Sequence, residues 1–466
     1  MRRLLSALAT WAVVLPMSAQ QVLTLDSCRA RALGNNKQLT VAKVQRDIAL
    51  QMRKSARTKY LPSLNVMGGY ILSSREISIL SNSQKDLLNN IGTKIGSLLG
   101  VTDPVVAGTL DKLGQKVTDG FRTNNRNMFM ASAMITQPIY MGGAITAANN
   151  IADINEVMAA NKEEATHQST LHSIDNTYWT VVSLRHKQKL ADSYLTLVKK
   201  LDDDVAKMIK EGIATRADGL KVNVKVNEAE MQVTQVEDGL SLAKMLLCQL
   251  CGMPTESDIT LADESSESLD LSSDIAVGDT ATAINDRPEM RLLQNAVDLS
   301  QQTTKLVRAA NLPQVLLTGG YMATNPNVYD GYNNKFAGVW NVGVMVRIPV
   351  WNWLDGVYKV RASKAATTIA RLELDDTREK IGLQVSQSKF KLNEAYKKLS
   401  MAQKNVEKAE ENMRCANIGF KEGVLQTTDV MEAQTAWMQA QSQKIDAEVD
   451  VKISQVNLKK ALGLLN

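Results

Sequence analysis

A chain of 466 residues, 44% of them hydrophobic, can build two or three domains, and its 5% aromatic content favours long helices over a compact mixed fold. The formal net charge of +5 includes Arg2 and Arg3 and falls to 52 − 49 = +3 without them, which leaves no electrostatic case for nucleic-acid binding.

Met1-Arg2-Arg3, an apolar run from Leu4 to Leu15 and then Pro16, Ser18 and Ala19 form the three parts of a secretory signal peptide over 1–19, with cleavage expected after Ala19. An uncleaved anchor helix needs about 20 apolar residues, more than this run supplies. The mature chain is therefore expected to be exported. No later stretch reaches transmembrane-helix length, so residence in a membrane would require a β-barrel or a lipid anchor. Cys28 follows Leu25-Asp26-Ser27, but Asp26 does not suit a lipidation motif, and Cys28 reads as a small helix-packing residue.

Thr24-Leu25-Asp26 is a helix-start signature, and an amphipathic helix is expected from there through Ala32, Leu39, Val41 and Ile48 towards Tyr60. Its counterpart begins at Asn285-Asp286-Arg287-Pro288 and runs to Ala310, with the proline near the start, where its missing N–H costs nothing. Each helix ends at a Leu-Pro pair, Leu61-Pro62 and Leu312-Pro313.

Four strands with period-two alternation follow these prolines in pairs, at about 62–73, 127–138, 313–324 and 339–350. The clearest places Trp340, Val342, Val344, Val346 and Ile348 on one face and Asn341, Gly343, Met345 and Arg347 on the other. Phe129, Ala131, Ala133 and Ile135 form the matching apolar face in the first half. Four strands cannot close on themselves, so the sheet must either pack into a soluble core or combine with other chains.

Long proline-free helices are expected over 142–211, 216–251, 356–422 and 428–463. About 70 residues at 1.5 Å per residue would reach roughly 100 Å. Val222, Val226, Ala229, Val233, Val236, Leu240, Ala243, Leu247 and Leu250 alternate spacings of four and three, a coiled-coil seam. Tyr194, Val198, Leu201, Val205 and Met208 supply the antiparallel partner, and Leu399, Val406, Met413 and Phe420 recur at sevens in the second half. The helices turn at Lys210-Glu211-Gly212-Ile213-Ala214-Thr215-Arg216-Ala217-Asp218 and at Lys421-Glu422-Gly423-Val424-Leu425-Gln426-Thr427-Thr428-Asp429, where glycine closes one helix and Thr or Asp opens the next.

These two turns are one stretch written twice, at an offset of 421 − 210 = 211 that also relates Pro138 to Pro349 and Gly252 to Gly463. The chain is a tandem duplication. Repeats are expected over 20–252 and 282–466, joined by an acidic linker over 253–281 with short strand pieces around Ile259–Leu261. The first Leu-Pro pair is offset from the second by 313 − 62 = 251, which puts 251 − 211 = 40 extra residues between Pro62 and Pro138. Leu87, Leu88, Ile91, Ile95 and Leu98 predict an amphipathic helix in that insertion.

Chemistry-bearing motifs are missing from the sequence. Cys248-x-x-Cys251 lies at the end of an apolar helix with no second pair and no nearby His, so both read as structural. His172 and His186 share one helix roughly 20 Å apart and cannot share a metal. Asp202-Asp203-Asp204 reads as a solvated helix face. No catalytic residues, metal site or cofactor are expected.

The signal peptide, the duplicated unit with two strands each, the long helical hairpins and the turns of Gly, Thr and Asp together resemble the TolC family of outer membrane efflux proteins. The resemblance implies a mainly α fold with a membrane β part. A homotrimer would close 4 × 3 = 12 strands into one outer membrane β-barrel, continued by a periplasmic α-barrel. It implies a passive duct, not an enzyme, that serves a tripartite efflux or type I secretion system. Its partners would be a periplasmic adaptor (membrane fusion) protein, an inner-membrane pump and outer membrane lipid. It places a periplasmic gate at Asp429 and Glu432, with Asp218 equivalent to Asp429, and adaptor-docking turns at Gly212-Ile213 and Gly423-Val424. Asn341 and Arg347 would face the lumen and the Trp340 to Ile348 set the lipid. This chain departs from the family in having Glu432 rather than aspartate and Glu before each turn glycine. A periplasmic coiled-coil adaptor and a structural tether are the other readings, although neither has a use for four alternating strands.

Overall fold

The computed structural model describes residues 21–74, 78–100, 103–121, 125–266, 284–329 and 334–465. The expected signal peptide and residues 267–281 of the acidic linker lie outside them. The chain divides into two compact units that both draw on the two sequence repeats: Met1–Leu50, Ile154–Asp298 and Thr367–Asn466 form one, Gln51–Asp153 and Leu299–Ala366 the other.

The second unit is built on a four-stranded antiparallel sheet in the order β2-β3-β5-β6, with strands Ser63–Leu72 (β2), Asn127–Met141 (β3), Gln314–Asn325 (β5) and Ala337–Arg347 (β6). The strand before these in the chain, Gln21–Leu23 (β1), belongs to the other unit. Directly paired residues share a face in an antiparallel sheet, and the register joins the expected apolar sets into one surface. Val66 pairs with Ala133, Ala133 with Tyr321, and Tyr321 with Trp340. The opposite face carries Asn65, Met134, Gly320 and Asn341 in one row, and Gln314 beside Arg347 in another. A bulge between Pro138 and Tyr140 accommodates the proline, which has no N–H to give to the ladder. The outer strands β2 and β6 are each paired on one side only among the described residues, and Val66 and Trp340 on the apolar face are 77% and 76% exposed.

The insertion forms three helices rather than a single amphipathic one: Asn82–Asn89 (α3), Ile91–Leu99 (α4) and Pro104–Gly120 (α5). Hydrophobic periodicity signalled α3 and α4 together but missed α5, which Asp103 caps and Pro104 starts. Asp111 of α5 accepts the N–H of Gly92, the N–H of Thr93 and the hydroxyl of Thr93 at the start of α4. A Cβ on Gly114 would lie 1.7 Å from the Leu88 carbonyl oxygen, so α3 and α5 meet at that glycine.

The first unit contains the helical hairpins. Helix Ala144–Lys210 (α6), which starts in the other unit, turns into Arg216–Leu250 (α7). Helix Asp355–Lys421 (α9), likewise shared, turns into Thr427–Ala461 (α10); between these hairpins in sequence lies Pro288–Ala309 (α8). Val222, Ala229, Leu240 and Leu247 of the seam are buried against Tyr194, Val198, Leu201 and Val205 in one cluster and against Ile174 and Val181 in another. Burial of a side chain such as Leu247 contributes about 2 kcal/mol.

The N-terminal helix is not continuous. It splits into Leu25–Asn35 (α1) and Lys37–Arg57 (α2) at Asn36, whose backbone is extended. The Asn36 side-chain oxygen accepts the N–H groups of Gln38 and Leu39, and its amide donates to the Leu250 carbonyl. Amphipathic periodicity on both sides of Asn36 hid an N-cap inside the run. The short strand Gln21–Leu23 (β1) pairs in parallel with Ile259–Leu261 (β4), so the start of the acidic segment is held in the core by Leu23, Ile259 and Leu261. Cys28, Cys248 and Cys251 are buried free thiols in that cluster, and Cys415 is exposed.

Candidate functional site

The two hairpin tips sit side by side in the first unit. Each ends its descending helix in a Schellman arrangement. Gly212 has φ +77°, and the Ile213 N–H reaches the Met208 carbonyl at 2.9 Å. Gly423 has φ +72°, and the Val424 N–H reaches the Gly419 carbonyl at 2.8 Å. Glycine adopts this left-handed conformation without a Cβ penalty. The residues presented at the turns are apolar and exposed, Ile213 at 66% and Val424 at 78%.

The return helices open differently. Thr215 caps α7 with its hydroxyl to the Asp218 N–H, and Asp218 answers by accepting the Thr215 N–H at 3.2 Å and its hydroxyl at 2.6 Å. The Thr215 hydroxyl, its N–H and then Lys221 hold the Asp218 carboxyl below the usual carboxylate range. In α10 the cap position falls to Gln426, whose N–H donates to Asp429 at 2.9 Å. Asp429 therefore sits three residues inside the cap, as the reciprocal half of a capping box, and not at the cap itself.

The structure separates the expected gate residues by environment. Asp429 is half-buried beside Val430, which is fully buried with Val205 and Val222 in the core between the hairpins. Glu432 is exposed one turn further on, and Asp218 is half-buried at the equivalent place in the first hairpin. Of the four expected docking residues, Ile213 and Gly423 line one open groove of about 740 Å³ together with Glu211, Phe420, Glu422 and Gln434, whereas Gly212 and Val424 are not part of its lining. Phe420 was visible in the heptads, but Gln434 carried no sequence signal because its place in the groove depends on how the second hairpin lies against the first. Asn341 and Arg347 are exposed on the polar face of β6.

The chain matches a family model described as outer membrane efflux protein over residues 29–253 and 281–464, most of its length. The chain belongs to the outer membrane efflux protein family. This membership sets aside the adaptor and tether readings. Among relatives of the family, "Outer membrane efflux protein BepC" of Brucella suis biovar 1 is 22% identical over 365 residues, 78% of this chain and 73% of that protein. "Alkaline protease secretion protein AprF" of Pseudomonas aeruginosa is 22% identical over 261 residues, 56% of this chain. The chain spans about half of AprF's length, 54%. The solved CmeC outer membrane channel of Campylobacter jejuni superposes with a TM-score of 0.73 at 14% identity, covering 94% of this chain and 85% of that one, which establishes the fold.

Proposed function

We propose that this protein is the outer membrane exit duct of a tripartite efflux or type I secretion system, a passive homotrimeric channel and not an enzyme. The observation that carries the reading is the sheet of four strands, apolar on one face and exposed at both edges, which cannot persist in that state in water or in lipid. Three copies supply 4 × 3 = 12 strands and remove every edge. A second stripe supports assembly: Leu220, Val224, Met231 and Leu242 on α7 are exposed, at 56% or more. They follow helical spacing away from the seam.

In this reading the repeats 20–252 and 282–466, joined by the linker 253–281, each contribute two strands and one hairpin. The 67-residue helices α6 and α9 are long enough, at about 100 Å, to carry the duct well beyond the membrane. Trp340, Val342, Val344 and Val346 face lipid, and Asn341 and Arg347 the lumen. The turns Gly212-Ile213 and Gly423-Val424, with the groove that Ile213 and Gly423 line, receive a periplasmic adaptor, which links the duct to an inner-membrane pump. Asp429, Glu432 and Asp218 line the periplasmic gate. The names of BepC and AprF, efflux and protease secretion, favour both branches of this class equally.

The test is fractionation of cells expressing the full chain. Trimers resistant to detergent until heated, found in the outer membrane fraction and conducting ions in planar bilayers, are expected. A monomer in the soluble periplasmic fraction would overturn the reading.

A further inference from the structure

Beyond the end of β6 the chain adopts a conformation that its own first repeat reserves for glycine. Trp353 and Leu354 have φ of +54° and +65°. At the offset of 211 their counterparts are 353 − 211 = 142 and 354 − 211 = 143, Gly142 and Gly143, with φ of +62° and +85°. Two consecutive left-handed residues with large side chains are strained, and such strain persists where a surrounding structure and a function maintain it.

The charges around the two copies have diverged in parallel. In the first repeat Arg53 and Arg57 lie 2.6 and 3.9 Å from the Asp153 carboxylate. The counterpart of Asp153 is Lys364, since 364 − 211 = 153, and that of Arg57 is Arg308, since 308 − 251 = 57. Asn150 becomes Arg361, since 361 − 211 = 150. In place of the Asp153 carboxylate with its two arginines, the second repeat thus has three basic side chains, Arg308, Arg361 and Lys364. These side chains line an open groove of about 540 Å³ with Asn311, Trp351 and Leu354. Trp353 lies edge-on to Trp351 with ring centroids 5.8 Å apart, and the two are 82% and 70% exposed.

We propose that this groove binds the headgroup of an anionic glycerophospholipid at the rim of the membrane. The proposal rests on the duct reading, in which the residues between β6 and α9 stand where the barrel leaves the bilayer on the periplasmic side. Arginine forks match phosphate oxygens in a bidentate manner and lysine adds a compact charge. Tryptophan rings occupy the headgroup level of membranes. The apolar wall offered by Leu354 and the exposed Val350 receives the glycerol end of the acyl chains. The first repeat, with glycines and an internally paired Asp153, has neither feature, so one headgroup per chain is bound.

Native mass spectrometry of the full-length trimer, taken from nanodiscs of phosphatidylethanolamine with or without dioleoylphosphatidylglycerol, tests this. Retention of phosphatidylglycerol over phosphatidylethanolamine is expected, with at least a tenfold loss in the combined Arg308→Gln, Arg361→Gln and Lys364→Gln variant. A similar loss is expected in the Trp353→Gly and Leu354→Gly variant, which restores the first repeat's glycines and should fold without strain. Equal retention of both lipids, an unchanged charge variant, or displacement of lipid by millimolar inorganic phosphate overturns the proposal in favour of a simple anion site or none. Heat-modifiable trimers are scored in the same preparations. If the wild type never inserts as a trimer, the duct reading fails together with this one, whereas insertion without lipid preference removes this one alone.

Discussion

Arg29 of α1 holds Asp175 of α6 through two parallel hydrogen bonds, Nε to Oδ1 at 2.8 Å and a terminal nitrogen to Oδ2 at 2.6 Å, across 146 positions of sequence. The Asp175 side chain is only 1% exposed, so the carboxylate has lost its water and depends on this fork. The same hydrogen bonds raise the Arg29 pKa above its ordinary value. The pair ties the N-terminal helix to the first hairpin.

Removal of one partner leaves a buried charge uncompensated, whereas removal of both does not. Arg29→Leu is expected to cost about 3 to 5 kcal/mol, and Arg29→Leu with Asp175→Leu distinctly less. Urea unfolding of the detergent-solubilised protein, followed by circular dichroism, measures both. A double variant no more stable than the single would show that the helices are joined mainly by apolar packing around Cys28 and Ile174.

Val344 and Met345 are adjacent in β6, 64% and 59% exposed, and point to opposite faces of the sheet. An arginine at Val344 would sit near the middle of the bilayer and is expected to cost about 2 to 4 kcal/mol, while at Met345 it should be tolerated in the lumen. Yields of folded trimer from outer membranes report the difference. Equal damage at the two positions would contradict the assignment of faces.

At the hairpin tips, charge and capping can be varied separately. Asparagine at Asp429 keeps an oxygen for the Gln426 N–H, so Asp429→Asn with Glu432→Gln removes two negative charges per chain while leaving the cap its acceptor. Three copies would otherwise gather 2 × 3 = 6 carboxylates around one axis, attracting cations. The variant is expected to lose cation preference and block by multivalent cations in planar-bilayer recordings. Unchanged selectivity and block, with intact trimers, would reduce both residues to helix ends.

The pH response of the hairpin region has a definite sign. His172 contacts Asn457 of α10 at 2.7 Å, and burial, ahead of Lys460, lowers its pKa below the ordinary 6.5, with Asn457 and Asp175 acting in the opposite direction. Burial lowers that of His186 as well. The folded protein holds both rings neutral, so their contribution to stability is fully present above about 6.5 and is lost as pH falls through that value towards the lowered folded-state pKa. The unfolding midpoint should drop as pH falls below about 6.5, and His172→Gln with His186→Gln should flatten that slope. An identical slope in the variant would place the acid sensitivity elsewhere.

The features legible in the sequence are those that repeat locally. Period-two alternation marked the four strands, alternating spacings of four and three marked the seam on α7, and a glycine followed by Thr or Asp marked each tip, because side-chain direction follows backbone period within a few residues. Even the contrast between Gly142-Gly143 and Trp353-Leu354 was present in the duplicated register, though its meaning required the dihedral angles. Distant partners decided the rest. Asn36 breaks the first helix because its side chain can cap α2 while also meeting the Leu250 carbonyl, and Gln21–Leu23 becomes a strand because Ile259–Leu261 lies beside it. α5 exists as a partner of α3 and α4 through Gly114 and Asp111. Asp429 accepts a backbone N–H inside its helix, and Phe420 and Gln434 share a groove with Ile213. These arrangements depend on which segments approach in space, and a one-dimensional pattern contains no term for the energy of contacts between residues far apart in the chain.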